Sequence, residues 1–294
     1  MSVDPIKLGL LAAIMVAGVV MCVLWFRSRR TAPDARLPSG GEVLVGFGTE
    51  FFDTLGIGSF APTTAIYKLF QMLPDELIPG TLIVGHTPGV LLQSLIFITS
   101  VAVAPTLLAG MVIAAAVGAW FGAGIVARLP RYAIQLGMGT ALLVAGTVFA
   151  AVNLGLIPGG GVALNLGGWK LAVALAASLV LGALMTVGIG MYAPTMILLA
   201  LLGVHPLSAF PIMMGACALL QPVAGVRFVT RSRFAFGPSL GLTIGGLVGV
   251  LLAAFVVKEL PLAMLRWLVV VVVLYAALAM LRSVAQSATV SRRP

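Results

Sequence analysis

An eight-residue motif occurs twice in the chain, and its residue types suit anion binding. It reads Gly-Ile-Gly-Ser-Phe-Ala-Pro-Thr over 56–63 and Gly-Ile-Gly-Met-Tyr-Ala-Pro-Thr over 188–195. Glycine lets the backbone turn sharply, and proline is tolerated in the first turn of a helix. The motif therefore predicts a break and then a helix start, whose free N–H groups attract anions. With Thr81 added, the predicted substrate-binding residues are Gly56, Gly58, Ser59, Pro62, Thr63, Thr81, Gly188, Gly190, Tyr192, Pro194 and Thr195.

Three ionisable residues fall inside apolar segments around the first motif. Such residues are costly within a membrane and are functional candidates for that reason. Glu50 and Asp53 precede the motif, and His86 follows in the next segment, where its side chain can titrate near neutral pH. A carboxylate beside an anion site repels the anion unless it is protonated, so these three residues are candidates for proton coupling. Gln93 and Gln221 are further polar groups that can line a path.

Each of these features also has a plainer interpretation. The glycines and prolines of the motif can simply allow close helix packing and a kink, and a single buried histidine can serve packing alone. Catalytic patterns such as His-Glu-x-x-His, Gly-x-Ser-x-Gly and the Walker loop are absent from the sequence. We therefore expect no enzymatic activity and no cofactor. His86 and His205 have no cysteine pair nearby, so no metal site is predicted.

The composition places these residues in a membrane. Hydrophobic residues make up 61% of the chain and charged residues 9%, against about 45–50% and about 25% in soluble domains. The mean hydropathy is +1.18. The net charge of +9 comes from clusters between apolar segments, which is typical of cytoplasmic anchors. We expect the lipid bilayer and not nucleic acid as the partner. Cys22 and Cys217 both lie in apolar segments, which argues against a disulfide.

The pattern of apolar runs and breaks predicts nine segments, over 8–26, 43–72, 77–103, 106–127, 132–153, 169–203, 206–229, 234–257 and 262–281. The first is long enough to span a bilayer, which takes about 20 residues, and Arg27 follows it at once. A cleavable signal peptide has its charge before the apolar run. The order here predicts a retained helix with its N-terminus outside.

The two motif copies belong to a longer internal repeat. Their offset is 132 residues (188 − 56), and Pro79 and Pro211 keep the same offset. We predict an N-terminal helix and cytoplasmic linker over 1–41, repeats over 42–153 and 169–283, a glycine-rich loop over 154–168, and a cytoplasmic tail over 284–294. The expected fold is an all-α polytopic membrane protein with two four-segment repeats and one extra helix.

The relative orientation of the repeats depends on their first segments. If all eight repeat segments cross, the repeats are parallel and Arg128 lies outside. If the first segment of each repeat is broken and re-entrant, the second repeat is inverted, and every arginine cluster lies inside. The charge bias favours the inverted arrangement. Two legs of 43–72 are too short to cross separately, whereas the first leg of 169–203 is long enough to cross.

The residues from Gly46 to Ala65, with Phe52-Asp53-Thr54-Leu55-Gly56 and Pro62, resemble the sulfite exporter TauE/SafE-like membrane transporters. The resemblance covers about 41–283. It implies a bacterial or archaeal inner-membrane carrier with duplicated repeats, and sulfite, organosulfonates or related small anions as substrates. It also implies that the two motif segments face the substrate.

These observations predict a secondary transporter of small anions in the cytoplasmic membrane, with its C-terminus inside. The site is expected between the broken helices of the two repeats. The alternative is a channel, or a membrane-embedded partner subunit without its own transport cycle. The sequence leaves open the direction of transport, the coupling ion and whether the chain forms a homo-oligomer.

Overall fold

The computed structural model describes residues 4–30, 35–126, 131–156, 161–185 and 190–290. The protein is all-helical, with 82% of its residues in helices and no strand within those ranges. The α-helices are α1 Pro5–Arg27, α2 Gly40–Thr54, α3 Phe60–Leu69, α4 Ile78–Ser100, α5 Pro105–Val126, α6 Arg131–Asn153, α7 Gly168–Met185, α8 Tyr192–Leu201, α9 Ala209–Thr230, α10 Phe236–Glu259 and α11 Leu262–Val290. The predicted polytopic helical architecture is thereby confirmed at this level.

Seven helices in the described part of the chain are long and apolar enough to cross a membrane. They correspond to α1, α4, α6, α7, α9, α10 and α11. The stretch of α5 whose side chains are described, Pro105–Phe121, is shorter, although the whole helix has 22 residues. The 15 residues of α2 and the 10 residues each of α3 and α8 are too few to cross.

The chain folds into two compact units, and each takes helices from both halves of the sequence. The first unit comprises Met1–Val101 and Met214–Glu259, and the second comprises Ala102–Met213 and Leu260–Pro294. The boundary falls inside α9. The repeat boundaries of the sequence therefore do not coincide with the units and stay a prediction.

Local sequence explains where α2 begins and ends. Ser39 and Glu42 form a capping box, in which each side chain bonds to the other residue's backbone N–H. Arg36 adds an ion pair to Glu42, with Nη1 and Oε2 3.0 Å apart. After Thr54 the chain turns through Gly56 and Gly58, whose φ values of 95° and 93° favour glycine. The predicted break in 43–72 is thus confirmed.

In the first unit, α2 and α10 run parallel with their backbones in close contact. A Cβ on Gly46 would lie 2.5 Å from the carbonyl oxygen of Leu242. Small residues let helices approach this closely. The contacts advance in the same direction on both helices, since Gly241 meets Glu42, Gly245 meets Val43, and Gly249 meets Phe47.

The helix α4 is also parallel to α10. The Ser239 hydroxyl donates to the Thr81 carbonyl over 3.2 Å, and the Thr243 hydroxyl donates to the Gly85 carbonyl over 2.8 Å. By contrast, α1 runs antiparallel to α4, because Lys7 Nζ bonds to the Val101 carbonyl, Gly18 lies against Leu91, and Trp25 packs in one cluster with Val84.

The helix α3 turns back along α4. Its first turn contacts the middle of α4, where Thr63 meets His86. Its last turn contacts the start of α4, where Tyr67 packs with Ile78 and Leu82. Because α2 is parallel to α4 and α3 is antiparallel to it, 40–69 forms a helical hairpin that begins and ends at the same end of the unit.

The second unit contains a hairpin built from α7 and α8. Lys170, at the start of α7, donates from Nζ to the carbonyl of Leu202 just after α8, over 3.0 Å. The end of α8 therefore returns to the start of α7, although α7 alone is long enough to cross. Close contacts join α7 to α5, where the Ser178 hydroxyl donates to the Met111 carbonyl over 2.6 Å.

In the same unit, α6 and α11 pack antiparallel along their length. Gln135 Oε1 accepts a hydrogen bond from Ser283 over 3.4 Å. Further along α6, Gly139 lies against Leu281 and Gly146 lies against Leu274. The residue numbers rise on α6 as they fall on α11, so the two helices point in opposite directions.

Candidate functional site

Four polar side chains from α2 and α4 meet inside the first unit, next to the break between α2 and α3. We call Glu50, Asp53, His86 and Gln93 the buried polar cluster. Asp53 is 3% exposed and the other three are 0% exposed. Since ionisable groups are rarely buried without partners, the contacts within this cluster decide what it can do.

Hydrogen bonds connect all four members of the buried polar cluster. His86 Nδ1 lies 2.8 Å from Glu50 Oε1. Gln93 Nε2 lies 2.9 Å from Glu50 Oε2 and 3.0 Å from Asp53 Oδ2, so one amide bridges the two carboxyl groups. Thr54 also contacts this amide, through Oγ1 at 3.0 Å.

The pairing of His86 identifies a dissociable proton. The Thr63 hydroxyl donates to the Ser59 carbonyl over 2.7 Å, so its oxygen accepts from His86 Nε2 over 3.1 Å. With Nε2 carrying a hydrogen, the 2.8 Å contact between Nδ1 and Glu50 needs one more proton, because two lone pairs would repel. That proton belongs to the pair, residing either on the carboxyl group or on the imidazole.

Two glycines make room for the Glu50 side chain. A Cβ on Gly89 of α4 would lie 2.8 Å from Glu50 Cδ, and a Cβ on Gly246 of α10 would lie 2.8 Å from Glu50 Cγ. Real Cβ atoms do not approach other atoms this closely, so any larger residue at either position would push the carboxyl group away. The two glycines thus help to hold Glu50 against His86.

Asp53 connects the buried polar cluster to the start of α3. Its Oδ1 accepts the backbone N–H of Ser59 over 2.6 Å, and Ser59 is the N-cap residue of α3. The Ser59 hydroxyl is buried, and its oxygen has no hydrogen-bond partner. The first intrahelical bond of α3 runs from Thr63 N to the Ser59 carbonyl. The N–H groups of Phe60 and Ala61 precede it and face the end of the helix dipole.

The structure thus brings together eight of the residues predicted from sequence. Seven of them bond within the buried polar cluster or form the adjoining break, and Pro62 follows in the first turn of α3. These residues are Glu50, Asp53, Gly56, Gly58, Ser59, Pro62, Thr63 and His86. Thr81 lies apart, because its hydroxyl donates to the Leu77 carbonyl and accepts from Ala235 N. Its contacts join α4 to the start of α10.

The second motif copy lies in the second unit, at the start of α8. Gly188 falls outside the described residues, and Gly190 directly precedes the N-cap residue Met191. Tyr192, Pro194 and Thr195 form the first turn and are buried. The Thr195 hydroxyl has no hydrogen-bond partner, as at Ser59 in the first copy. This helix start therefore also presents an unpaired buried hydroxyl.

The sequence pointed to Gln93 only as a polar group in an apolar segment, and it missed Gly89 and Gly246. Glycine is common throughout the chain, with 35 residues, so no signal marks these two positions. Within the described residues, no three His, Cys, Asp or Glu side chains are placed to hold a metal ion. Comparisons with protein-family models, curated proteins and solved structures found no match to this chain.

Proposed function

We propose that this chain is a secondary transporter that moves small anions across the membrane and takes up protons on the buried polar cluster. The observation that carries the proposal is the placement of two carboxyl groups and an imidazole at a broken helix whose start offers backbone N–H groups. Broken helices with polar groups at mid-membrane depth are typical of secondary transporters. The resemblance to TauE/SafE-like transporters favours sulfite or organosulfonates as the substrate class.

The helix contacts support an internal duplication in which the halves exchange helices. Under the offsets of 132 and 131 residues, three contacts between α5 and α7 correspond to three between α10 and α2. The pairs are Met111–Ser178 and Leu242–Gly46, Ala115–Gly182 and Gly246–Glu50, and Gly118–Leu179 and Gly249–Phe47. A repeat found by sequence alone has no reason to predict matched contacts unless both halves share one ancestral packing.

The helix directions support re-entrant first segments and therefore inverted repeats. If all eight repeat segments crossed, α1 and α4 would be parallel, α4 and α10 antiparallel, and α6 and α11 parallel. Each of these pairs has the opposite relation. We propose seven crossings, by α1, α4, α5, α6, α9, α10 and α11, with α2–α3 and α7–α8 as hairpins. The N-terminus then lies outside and the C-terminus in the cytoplasm.

The transport cycle is testable in proteoliposomes. Vesicles preloaded with unlabelled sulfite should take up labelled sulfite transiently above its equilibrium level, because a carrier exchanges substrate through one alternating site. An inward proton gradient should raise the initial rate of uptake. Flux that rises linearly with substrate and shows no counterflow would indicate the channel, and the absence of any flux would indicate the partner subunit.

Cysteine labelling tests the inverted arrangement. In a background with Cys22→Ala and Cys217→Ala, single cysteines replace Leu37, which is 75% exposed, or Tyr132, which is 51% exposed. Both positions should react with an impermeant maleimide from the cytoplasmic side only, because the hairpin and two crossings separate them. Labelling from opposite sides would contradict the re-entrant hairpin.

A further inference from the structure

The geometry points to Asp53 as an internal occupant of the anion site, one that leaves the start of α3 only when it takes up a proton. An oxyanion then replaces the carboxylate on the same backbone N–H groups, so each anion binds together with one proton. The inference rests on the proposed function of this site and specifies how the proton and the anion are linked.

The first argument is that a carboxylate oxygen already lies where an anion would bind. Asp53 Oδ1 accepts the Ser59 N–H over 2.6 Å, a length typical of a charge-assisted hydrogen bond. A protonated carboxyl group is a much weaker acceptor, so proton uptake releases this N–H. The carboxylate therefore acts as a stand-in for a substrate oxygen atom.

The second argument is that the site offers more donors than Asp53 uses. The Ser59 hydroxyl is 1% exposed as a residue and its oxygen is unpartnered, at the N-cap position of a ten-residue helix. An unpaired buried hydroxyl is costly and indicates a missing partner. With the N–H groups of Ser59, Phe60 and Ala61, it matches an anion with several oxygen atoms, such as a sulfonate.

The third argument is electrostatic. The titratable neighbours of Asp53 are Glu50 on the same helix and His86 on α4. The residues of α10 that contact α2 are Leu242 and glycines. The titratable residues of α3, Tyr67 and Lys68, lie in its last turn, where Tyr67 packs against α4 and Lys68 pairs with Asp75. No cation adjoins Asp53 besides His86, so a second negative charge requires a proton on Asp53.

The test measures binding of methanesulfonate, which stays a monoanion at every pH used, to the purified full-length protein. If one proton binds with each anion, the Kd should rise about tenfold per pH unit above the titration of Asp53. Asp53→Asn keeps the shape of the side chain and cannot ionise. We expect its Kd to be independent of pH and as low as that of the wild type in acid.

Ser59→Ala should weaken binding about tenfold by removing one hydrogen bond, while the pH dependence persists. Asp75→Asn, at an exposed carboxyl group paired with Lys68, should change neither. An Asp53→Asn protein that binds with the pH dependence of the wild type would overturn the inference and leave the transporter proposal intact. Absence of both methanesulfonate binding and sulfite flux in the wild type would overturn both.

A second measurement needs no variant at Asp53 and decides the matter if that variant does not fold. Adding methanesulfonate to the wild-type protein in weakly buffered solution, with a pH indicator, should remove about one proton from solution per anion bound. Binding without proton uptake would overturn the inference, whereas counterflow of sulfite would still support the carrier.

Discussion

Glu50→Gln is expected to lower proton-driven anion uptake at least tenfold while the protein stays folded and still binds the anion. Asp53 is buried, so its proton must arrive through neighbouring groups. The pair of Glu50 and His86 shares a dissociable proton, and the Gln93 amide holds Glu50 and Asp53 side by side. Glutamine can bond to His86 and Gln93 but cannot carry that proton. The loss should therefore appear in the rate and not in the Kd.

The measurement compares initial rates under an inward proton gradient with the Kd for methanesulfonate. Glu42→Gln is the matched control, because Glu42 is a buried acid on the same helix that pairs with Arg36 and lies outside the buried polar cluster. It should keep the proton dependence. Unchanged proton-driven uptake in Glu50→Gln would show that the proton reaches Asp53 by another route.

Glu50→Ala should behave differently from Glu50→Gln. It leaves His86 Nδ1 and Gln93 Nε2 without their partner inside the protein and opens a cavity. Leaving such groups unpaired costs about 1–3 kcal/mol each. We therefore expect a marked loss of stability for alanine and little for glutamine. The contrast separates the structural role of the side chain from its proton chemistry.

The second large effect is expected at Gly46, where α2 and α10 touch. Gly46→Val should lower the free energy of unfolding by about 3 kcal/mol, at the upper end of the usual cost of overpacking, and greatly reduce the yield of monodisperse protein. The added side chain would meet the backbone of Leu242, beginning with its carbonyl oxygen at 2.5 Å. A backbone contact cannot be relieved by a rotamer change, so the helices must separate.

Gly48→Val on the same helix is the matched control, since a Cβ at Gly48 meets nothing within 4 Å. Both changes alter the helix propensity of α2 equally, and only one alters its contact with α10. Thermal unfolding followed by size-exclusion chromatography in detergent measures the difference. Equal stability of the two variants would contradict the close packing of these helices.

Much of the helical architecture could be predicted because its causes are local. A membrane-spanning helix needs enough consecutive apolar residues, and glycine, proline and the capping pair Ser39–Glu42 mark its ends through their own backbone preferences. The break at Gly56 and Gly58 follows from the same rules. Isolated ionisable residues in apolar segments, such as Glu50 and Asp53, stand out for their cost in lipid.

Which of these residues meet could not be predicted, because it depends on contacts between distant segments. Gln93 lies 43 residues beyond Glu50, and no local pattern links the two. Length alone allowed α7 to cross, yet the bond from Lys170 to Leu202 returns α8 to its start. Gly89 and Gly246 matter only because α4 and α10 enclose Glu50.

The physical reason is that apolar helices in a bilayer gain little from hiding one face more than another, so hydropathy carries no record of their partners. Packing is decided by small residues that let two backbones touch and by buried polar groups that need one another. The anion-attracting helix start could be recognised in the motif of 56–63. Its link to a proton, through Asp53 and the Ser59 N–H, exists only in the folded hairpin.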